Sequence, residues 1–489
     1  MKAKAIMIQG TASNAGKTLL AAGLCRIFRQ EGYSVAPFKS QNMALNSYIT
    51  REGLEMGRAQ VMQAEACGLE PDVRMNPILL KPTSDHRSQV IVNGEVLETM
   101  DAAAYFHQKP SLLPHIQQAY EALAAEHDII VLEGAGSPAE INLKEGDLVN
   151  MGMAKLAQAP VLLAGDIDRG GVFAALAGTM LLLNDDEKAL VKGVIINKFR
   201  GDVDILRPGL AALESIIQKP VLGVVPYLDL CLDDEDSLTG RFAAGSNAPD
   251  PSALVDIAVL RLPRIANFTD FNALELLEGF TLRYVASPRD LGAPDLLLVP
   301  GSKNTMADLT WLRQSGLADA ILRHAGANRP IIGVCGGFQM LGQKISDPYA
   351  VEEGGEMPGL GLLPHTTLFG PEKKRVQIEG TLSPVKGIFR ELSGQPCRGY
   401  EIHMGRSDTG ANLVQNGNVY GTYIHGFFDL PEVTRTIARA LLKAKGLDCL
   451  EPRAVDMRAF KETQYDLLAD ALRRSLDLNA ILNITEKGI

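Results

Sequence analysis

The stretch KAIMIQGTASNAGKT, at residues 4–18, constrains the fold more than any other part of the chain. A short apolar run leads into a loop bounded by Gly10 and Gly16, and Lys17 and Thr18 open a segment rich in leucine and alanine. This order predicts a strand, a loop and a helix, in which backbone N–H groups and the helix N-terminus bind phosphate. Lys17 would contact the terminal phosphates and the Thr18 hydroxyl would bind Mg²⁺. A tight turn without a ligand is the alternative.

The loop is longer than the common phosphate-binding pattern, because five residues rather than four separate Gly10 from Gly16. It resembles the loop of dethiobiotin synthetase and its relatives, which use ATP to phosphorylate a carboxyl or carbamate oxygen. The resemblance implies ATP as the nucleotide. The loop residues that would bind it are Gly10, Thr11, Asn14, Ala15, Gly16, Lys17 and Thr18.

Length, charge and cysteine content limit the class of protein. A chain of 489 residues is long enough for two or three domains, and its net charge of −10 argues against nucleic acid or an anionic membrane as a partner. The N-terminal apolar segment is too short for a signal peptide, and no apolar run reaches the roughly 18–20 residues that span a bilayer. Six scattered cysteines indicate neither a zinc site nor disulfides. We therefore expect a cytoplasmic protein, with its oligomeric state open.

Apolar runs alternate with helical patterns in the first half of the chain, which is typical of parallel βαβ units. The predicted strands are 5–8, 34–38, 129–132, 160–164, 193–196 and 220–225. Ligands gather at the carboxyl ends of strands in open α/β sheets, so the polar residues after these runs predict one site. These residues are Lys39, Ser40, Gln41, Asn42, Glu133, Asp166, Asp168 and Asn197.

Each of the acidic residues among them has two possible roles. Glu133, in VLEGAGSPAE, would hold Mg²⁺ together with Thr18, since hard oxygen ligands suit that ion. A helix cap or a solvated acid is the alternative for Glu133. Asp166 and Asp168 either bind metal or order their loop through Arg169.

A long polar insertion, residues 42–89, separates two of the predicted strands. Its many amide side chains both donate and accept hydrogen bonds, which suits a substrate that carries several amides and carboxylates. A plain surface excursion is the alternative. Within the insertion, apolar positions 56, 59, 62, 66 and 69 predict a buried helix, and the apolar run 75–82 predicts a further strand.

Several segments together resemble the cobyric acid synthase family of the cobalamin pathway. They are GTASNAGKT, QNMALNSYIT, EMGRAQ, MNPILLKPTSD, DIDRGGVFA and NKFRGD. The resemblance implies amidation of the b, d, e and g carboxylates of adenosylcobyrinic acid a,c-diamide to give adenosylcobyric acid, with nitrogen from L-glutamine and one ATP for each amide. It favours a phosphate contact for Lys39 and an adenine contact for Asn197, which by itself would be a turn residue. Ser40, Gln41, Asn42 and Asp147 are candidates for corrinoid binding.

Two other functions are alternatives to this one. Cobyrinic acid a,c-diamide synthase shares both domains and the chemistry, but the segment QNMALNSYIT argues against it. A partition-type ATP switch with a degenerate amidotransferase module would need a basic or amphipathic surface, and the sequence has no such tail.

A change in composition at residues 233–251, where acids, glycine, serine and proline cluster, marks a domain boundary. We predict an α/β protein of two domains, each a mainly parallel sheet flanked by helices. Residues 1–235 would form a P-loop ATP-binding and corrinoid domain, 236–252 a linker, 253–447 an amidotransferase domain and 448–489 a helical tail. Apolar runs at 257–260, 296–299 and 330–334 begin the second α/β pattern.

Cys335, in GVCGGFQMLG, is a candidate nucleophile, because a thiol at a strand-to-helix turn has little bulk around it and its thiolate is favoured. A buried, inert cysteine is the alternative. Backbone N–H groups of Gly301 and Gly336 could stabilise an oxyanion. His425 follows another apolar run and could serve as general base and acid.

This half resembles class I glutamine amidotransferases, in which a thiolate attacks the glutamine carboxamide and ammonia leaves. The sequence departs from that family at Phe427, where a glutamate two residues after the histidine is usual. The third member of the triad is therefore either missing or supplied from elsewhere, with Asp429 and Glu401 as candidates. A missing carboxylate predicts slow or partner-gated glutaminase chemistry.

Overall fold

The computed structural model describes residues 3–83, 86–233 and 250–489. Most of the predicted linker, residues 236–249, lies outside these ranges. Asp233, the last described residue before it, is buried and forms ion pairs with Arg58 at 2.9 Å and Lys461 at 2.7 Å. No helix of the described ranges has the length and apolar character needed to cross a lipid bilayer.

The N-terminal unit is built on a six-stranded parallel sheet. The strands of this half are β1 (Lys4–Gly10), β2 (Val35–Phe38), β3 (Gln41–Met43), β4 (Ser47–Ile49), β5 (Glu55–Gly57), β6 (Ile78–Pro82), β7 (Arg87–Val92), β8 (Glu95–Asp101), β9 (Ile129–Glu133), β10 (Val161–Asp166), β11 (Val191–Phe199) and β12 (Val221–Pro226). Its helices are α1 (Lys17–Gln30), α2 (Arg58–Cys67), α3 (Ala102–Glu126), α4 (Met151–Ala157), α5 (Val172–Leu182), α6 (Asp185–Leu190) and α7 (Val203–Ile217). The sheet order is β12-β11-β10-β1-β9-β2, so the six predicted strands are the six strands of this sheet.

Burial on both faces explains why these strands could be recognised. Every residue of β9 is buried, as are six of the seven residues of β1. Apolar clusters cover the two faces of the sheet, one of them containing α1 and the other α3 and α5. A strand covered on both faces has a continuous apolar run in the sequence rather than an alternating one.

The polar insertion folds into more structure than its sequence indicated. The predicted helix is α2, with Ala59, Met62 and Ala66 buried, and the predicted strand is β6. Together with β7 and β8, which extend beyond the insertion, β3 and β6 form a four-stranded sheet in the order β3-β6-β7-β8, and β4 and β5 form a hairpin. The strands β3, β4 and β5 have three residues each, too few for a readable period, which is why the sequence does not predict them.

The C-terminal unit contains a second six-stranded sheet in the order β15-β13-β16-β18-β24-β23, parallel except for the β23–β24 pair. The strands are β13 (Val255–Leu260), β14 (Ile265–Ala266), β15 (Phe280–Val285), β16 (Leu296–Val299), β17 (Gly301–Ser302), β18 (Ile331–Val334), β19 (Lys344–Asp347), β20 (Gly355–Pro358), β21 (Thr366–Thr381), β22 (Pro396–Ser407), β23 (Val414–Asn416) and β24 (Val419–Thr422). The helices are α8 (Asn272–Glu275), α9 (Pro288–Leu291), α10 (Thr305–Gln314), α11 (Leu317–Gly326), α12 (Gly336–Leu341), α13 (Pro431–Ala444), α14 (Met457–Ser475) and α15 (Leu478–Lys487). The predicted fold class is confirmed.

The C-terminal tail returns to the N-terminal unit. The predicted helical tail, 448–489, forms two helices, α14 and α15, with a break at Leu476, where the chain pairs with Gly223. Leu468 and Leu472 of α14 are fully buried in the cluster that contains α1. A Cβ atom at Gly23 of α1 would lie 2.3 Å from Leu472 Cδ1, so the small residue permits this close packing. Both ends of the chain therefore build the N-terminal unit.

Candidate active sites

The glycine-rich loop lies at the carboxyl end of β1 and leads into α1. Gly16 caps the helix in the left-handed region, with φ of 87°, and a Cβ there would lie 2.0 Å from Asn197 Nδ2. Lys17 is buried, and its Nζ donates hydrogen bonds to the carbonyls of Ala12 at 3.0 Å and Gly136 at 3.1 Å. A phosphate oxygen would be a stronger acceptor for this ammonium group than either carbonyl.

The Glu133 carboxylate accepts hydrogen bonds from three side chains next to this loop. One carboxylate oxygen accepts from Thr18 Oγ1 at 2.8 Å and from Lys39 Nζ at 2.9 Å, and the other accepts from Gln63 Nε2 at 2.6 Å. All four side chains are buried. The described residues contain no group of three or more histidine, cysteine or acidic side chains that could hold a metal ion. A carboxylate and a hydroxyl in contact nevertheless fit Mg²⁺, which binds few protein oxygens and completes its shell with phosphate and water.

A cavity of about 420 Å³ opens beside this loop. Lys17 and Lys39 line one part of it, and Gln41 and Asn42 of β3 line another. Ser40, by contrast, is buried and donates to the carbonyl of Leu148 at 2.6 Å. The cavity thus brings three strand ends of the N-terminal unit together with the start of the polar insertion.

Asp147 also lines this cavity, but its carboxylate is engaged by the backbone. It accepts from the N–H groups of Val149 and Asn150, each at 2.9 Å, and of Gly152 at 3.0 Å. These bonds order the turn that leads into α4. A contact between Asp147 and the corrinoid stays a prediction.

The loops after β10 and β11 are joined by ion pairs. The Asp166 carboxylate lies 2.9 Å from Lys198 Nζ but 3.9 Å from Arg169 Nε. The Asp168 carboxylate lies 3.1 Å from Arg200 Nε. The acids therefore order this region mainly through Lys198, near the end of β11, and Arg200, just after it, rather than through Arg169.

Asn197 is placed against the phosphate loop. Its side chain is buried, and Nδ2 donates to the carbonyl of Ala15 at 2.9 Å. This bond supports the backbone of the loop next to Gly16. The adenine contact of Asn197 stays a prediction.

Cys335 connects β18 to α12 in a strained turn. Its φ of 50° and ψ of −109° are unusual for a residue other than glycine. The following turn packs closely against β16, since a Cβ at Gly337 would lie 2.0 Å from the carbonyl oxygen of Val299. A nucleophile is presented in the same way at the strand-to-helix turn of α/β-hydrolases.

His425 contacts a carboxylate and lies beside a thiol. Its Nδ1 lies 2.7 Å from Asp270 Oδ2, and it lines the same cavity as Cys335, whose thiol donates to the carbonyl of Ile402 at 3.5 Å. The second oxygen of Asp270 accepts from the backbone N–H of Gly426 at 2.9 Å. Burial lowers the pKa of His425, but the charges of Asp270 and Cys335 outweigh it and raise the pKa to about 10. These groups form a cysteine, histidine and aspartate array.

The aspartate in this array corrects the sequence prediction. Asp429 and Glu401 were the expected candidates, but Glu401 forms ion pairs with Lys374 and His403 instead. Asp270 lies 155 residues before His425, in the turn Phe268–Phe271 that follows β14. An acid flanked by two phenylalanines, in NFTDFN, was the only local sign of it. The expectation of slow or gated chemistry, which depended on a missing carboxylate, loses its basis.

The predicted oxyanion residues lie beside this array. A Cβ at Gly301 would be 3.4 Å from His425 Cε1, and one at Gly336 would be 2.8 Å from the backbone nitrogen of Ser302. Gly336 therefore needs to be glycine if the two loops are to meet, whereas a Cβ at Gly301 would press mainly on the carbonyl oxygen of Ala266, 3.0 Å away. Gly301 lines the same cavity as Cys335 and His425.

That cavity, of about 470 Å³, lies between the two units of the chain. Lys81 and Gln89 of the small N-terminal sheet form the wall opposite Cys335. Near it, the buried Glu55 carboxylate lies 2.9 Å from Lys81 and 2.5 Å from Lys373 of the C-terminal unit. Burial lowers the pKa of Lys373 to about 8. Residues of the N-terminal unit thus form part of the wall of the Cys335 site.

Both halves of the chain match known families. Residues 6–236 match the CobQ/CobB/MinD/ParA nucleotide binding domain, and residues 256–433 match the CobB/CobQ-like glutamine amidotransferase domain. The chain is 58% identical to the cobyric acid synthase of Ruminiclostridium cellulolyticum, over 100% of this chain and 98% of that protein. It is 53% identical to the cobyric acid synthase of Lachnoclostridium phytofermentans, over the full length of both. It is 52% identical to that of Photorhabdus laumondii, over 97% of each.

Proposed function

The chain belongs to the cobyric acid synthase family of glutamine-dependent ligases, and on this premise we propose that it amidates the b, d, e and g carboxylates of adenosylcobyrinic acid a,c-diamide. The product would be adenosylcobyric acid. The observation that carries the proposal is the array of Cys335, His425 and Asp270, which opens into a cavity whose opposite wall belongs to the nucleotide-binding half. Nitrogen released there is already next to the unit that would activate the acid.

We propose that residues 1–235, together with the helical tail, activate the substrate carboxylate. One carboxylate oxygen attacks the γ-phosphorus of ATP, ADP leaves, and an acyl phosphate forms. Lys17 and Lys39 would offset the charge that develops on the transferring phosphoryl group. Thr18 and Glu133 are the residues that would hold Mg²⁺, which would neutralise phosphate charge at this position.

Residues 253–447 would release ammonia from glutamine. The Cys335 thiolate attacks the carboxamide carbon, and the N–H groups of Gly301 and Gly336 would stabilise the oxyanion. Because Nδ1 of His425 is bonded to Asp270, its other ring nitrogen is the one available to protonate the leaving ammonia. The same nitrogen then takes a proton from the water that hydrolyses the thioester, which releases glutamate.

Ammonia would next attack the acyl phosphate, forming the amide and releasing phosphate. Water competes for both the acyl phosphate and the thioester, so a sheltered passage is advantageous. The position of the cavity between the units supports such a passage.

Two variants test the proposal. Cys335→Ala should abolish amidation from glutamine but retain it from free ammonia, since only the glutaminase step needs the thiol. Lys17→Ala should lose amidation from both nitrogen sources. The assay combines ATP, Mg²⁺, the diamide and either nitrogen source, and mass spectrometry counts the amides formed. Loss of both activities in Cys335→Ala, or retained activity in Lys17→Ala, would contradict two separate sites.

The same assay distinguishes the alternatives. Cobyrinic acid, offered beside its a,c-diamide, should be the poorer substrate. Preference for cobyrinic acid would identify an a,c-diamide synthase instead, and ATP hydrolysis that ignores both corrinoids would indicate an ATP switch.

A further inference from the structure

The hairpin of β4 and β5, which belongs to the N-terminal unit, reaches the glutaminase array through Ser47. Ser47 is fully buried. Its backbone N–H donates to Asn267 Oδ1 at 2.9 Å, and its carbonyl accepts from the Tyr400 hydroxyl at 2.9 Å. Its side-chain oxygen accepts from Lys81 Nζ at 2.8 Å. Two residues of the C-terminal unit therefore hold the backbone of one N-terminal residue.

Those two residues adjoin the catalytic groups. Asn267 begins the turn that carries Asp270. The ring of Tyr400 stacks on the imidazole of His425, with ring centres 5.3 Å apart and planes inclined by 24°. The backbones of these two residues also pair, with hydrogen bonds of 2.8 and 3.1 Å. Tyr400 thus lies between the catalytic imidazole and the N-terminal hairpin.

We propose that Tyr400 is a positioning residue for His425, held in place by the N-terminal unit through its hydrogen bond to Ser47. Asp270 determines which imidazole nitrogen faces the thiol, and the Tyr400 ring limits rotation of the imidazole plane. The inference rests on the proposed glutaminase role of Cys335 and His425. Its consequence is that the glutaminase base is fully ordered only while the two units are docked.

The contacts of Tyr400 exclude a direct part in the chemistry. Its hydroxyl is bonded to the carbonyl of Ser47 rather than directed at Cys335. Its ring also packs edge-on against that of Tyr48, with centres 5.0 Å apart. Burial also raises the pKa of the phenol well above its usual value, which keeps it protonated.

The test compares Tyr400→Phe with Tyr420→Phe in the full-length protein. Tyr400→Phe keeps the ring but loses the bond to Ser47. Tyr420→Phe is the matched control, because it also removes a buried hydroxyl of the C-terminal unit, one bonded to Lys386 and Phe389 away from the interface. Loss of one such hydrogen bond predicts a kcat with glutamine that is about three- to ten-fold lower for Tyr400→Phe. KM for glutamine and amidation from ammonia should be unchanged.

A second readout separates positioning from loss of stability. The rate at which iodoacetamide alkylates Cys335 is measured against pH, because only the thiolate reacts. A loosely held imidazolium stabilises the thiolate less, so the midpoint should move to higher pH in Tyr400→Phe and not in Tyr420→Phe. The charges of Asp270 and Cys335 raise the pKa of His425, and the substitution retains both groups.

The outcomes are distinct. Equal kcat values and equal alkylation midpoints in both variants would overturn the positioning role of Tyr400. A fall in kcat that is fully explained by a loss of thermal stability would overturn it as well. Glutamine-dependent amidation by Cys335→Ala would instead overturn the proposed function itself, whatever the tyrosine variants show.

Discussion

Asp270 uses both carboxylate oxygens to organise the residues around His425, one on the ring and one on the backbone N–H of Gly426. Such a carboxylate selects the tautomer of the base and stabilises the imidazolium form. Phe427, which stands where relatives of the wider superfamily have their acid, packs instead in the apolar core. The third member of the array, Asp270, is therefore supplied by a different part of the fold from the segment that follows His425.

We predict that Asp270→Asn lowers kcat for glutamine-dependent amidation by about 10²- to 10⁴-fold, because an amide favours the wrong tautomer. Amidation from free ammonia should be unchanged. Steady-state rates with the two nitrogen sources test this. Asp429→Asn is the control, since Asp429 is a half-buried acid four residues after His425, whose ring is bonded to Asp270 instead; an equal loss in that variant would contradict the role of Asp270.

The pH dependence of stability tests the same pair. The pKa of His425 is raised to about 10 in the folded state, against about 6.5 when unfolded. A pKa raised on folding stabilises the folded state. This stabilisation is complete when the pH is below the pKa of the unfolded state, and it is lost as the pH rises toward 10. Wild type should therefore be more stable than Asp270→Asn at pH 6, and this difference in the free energy of unfolding should decrease as the pH rises to 10. Trp311, the only tryptophan, lies in α10 and reports urea unfolding of this unit. A constant difference would contradict the ion pair.

At the scale of elements, the tail helix α14 acts as part of the N-terminal unit. Its apolar face covers α1, and Arg26 of α1 forms ion pairs with Glu462 and Asp466 at its exposed edge. The helix pattern was visible in the sequence, but the surface it covers was not. Helical periodicity shows that a face is buried and does not show against which element.

We predict that Leu472→Ala lowers the free energy of unfolding of the N-terminal unit by about 2–5 kcal/mol, because it leaves a cavity against α1. Leu467→Ala, on the same helix but with 47% of its surface exposed, should change it by about 0.5 kcal/mol or less. Urea unfolding followed by circular dichroism measures both. Equal effects of the two variants would contradict the packing of α14 on α1.

At the scale of the whole molecule, the two units share buried charges as well as a cavity. Glu55 lies between Lys81 of its own unit and Lys373 of the other, and burial alone would raise its pKa. The two lysines outweigh burial and lower the pKa of Glu55, so it is ionised. Removing one partner of a buried ion pair leaves the other charge uncompensated, which is strongly destabilising.

We predict that Glu55→Gln loosens the contact between the units, so that amidation slows and ammonia escapes. The number of glutamines hydrolysed for each amide formed should rise above that of wild type. Glutamate and amide are quantified in the same reaction. Glu70→Gln, which removes an exposed partner of Arg51, is the control and should keep the wild-type ratio. An unchanged ratio in Glu55→Gln would argue against a sheltered passage at this contact.

The sequence alone determined the features that depend on local patterns. Strands buried on both faces appear as apolar runs, and a glycine-rich loop before a helix has its own spacing, so the main sheet, the phosphate loop and the α/β class were all predictable. Cys335 and His425 were found in the same way, because Cys335 directly follows β18 and His425 comes three residues after the end of β24.

Only the tertiary structure decided which distant residues meet. Asp270 reaches His425 across 155 positions, Ser47 reaches Tyr400 across the boundary of the units, and α14 returns to α1 from the far end of the chain. None of these contacts has a period or a spacing in the sequence. The role of a buried charge or hydroxyl depends on the group that faces it in space, and that group is brought there by the packing of the whole chain.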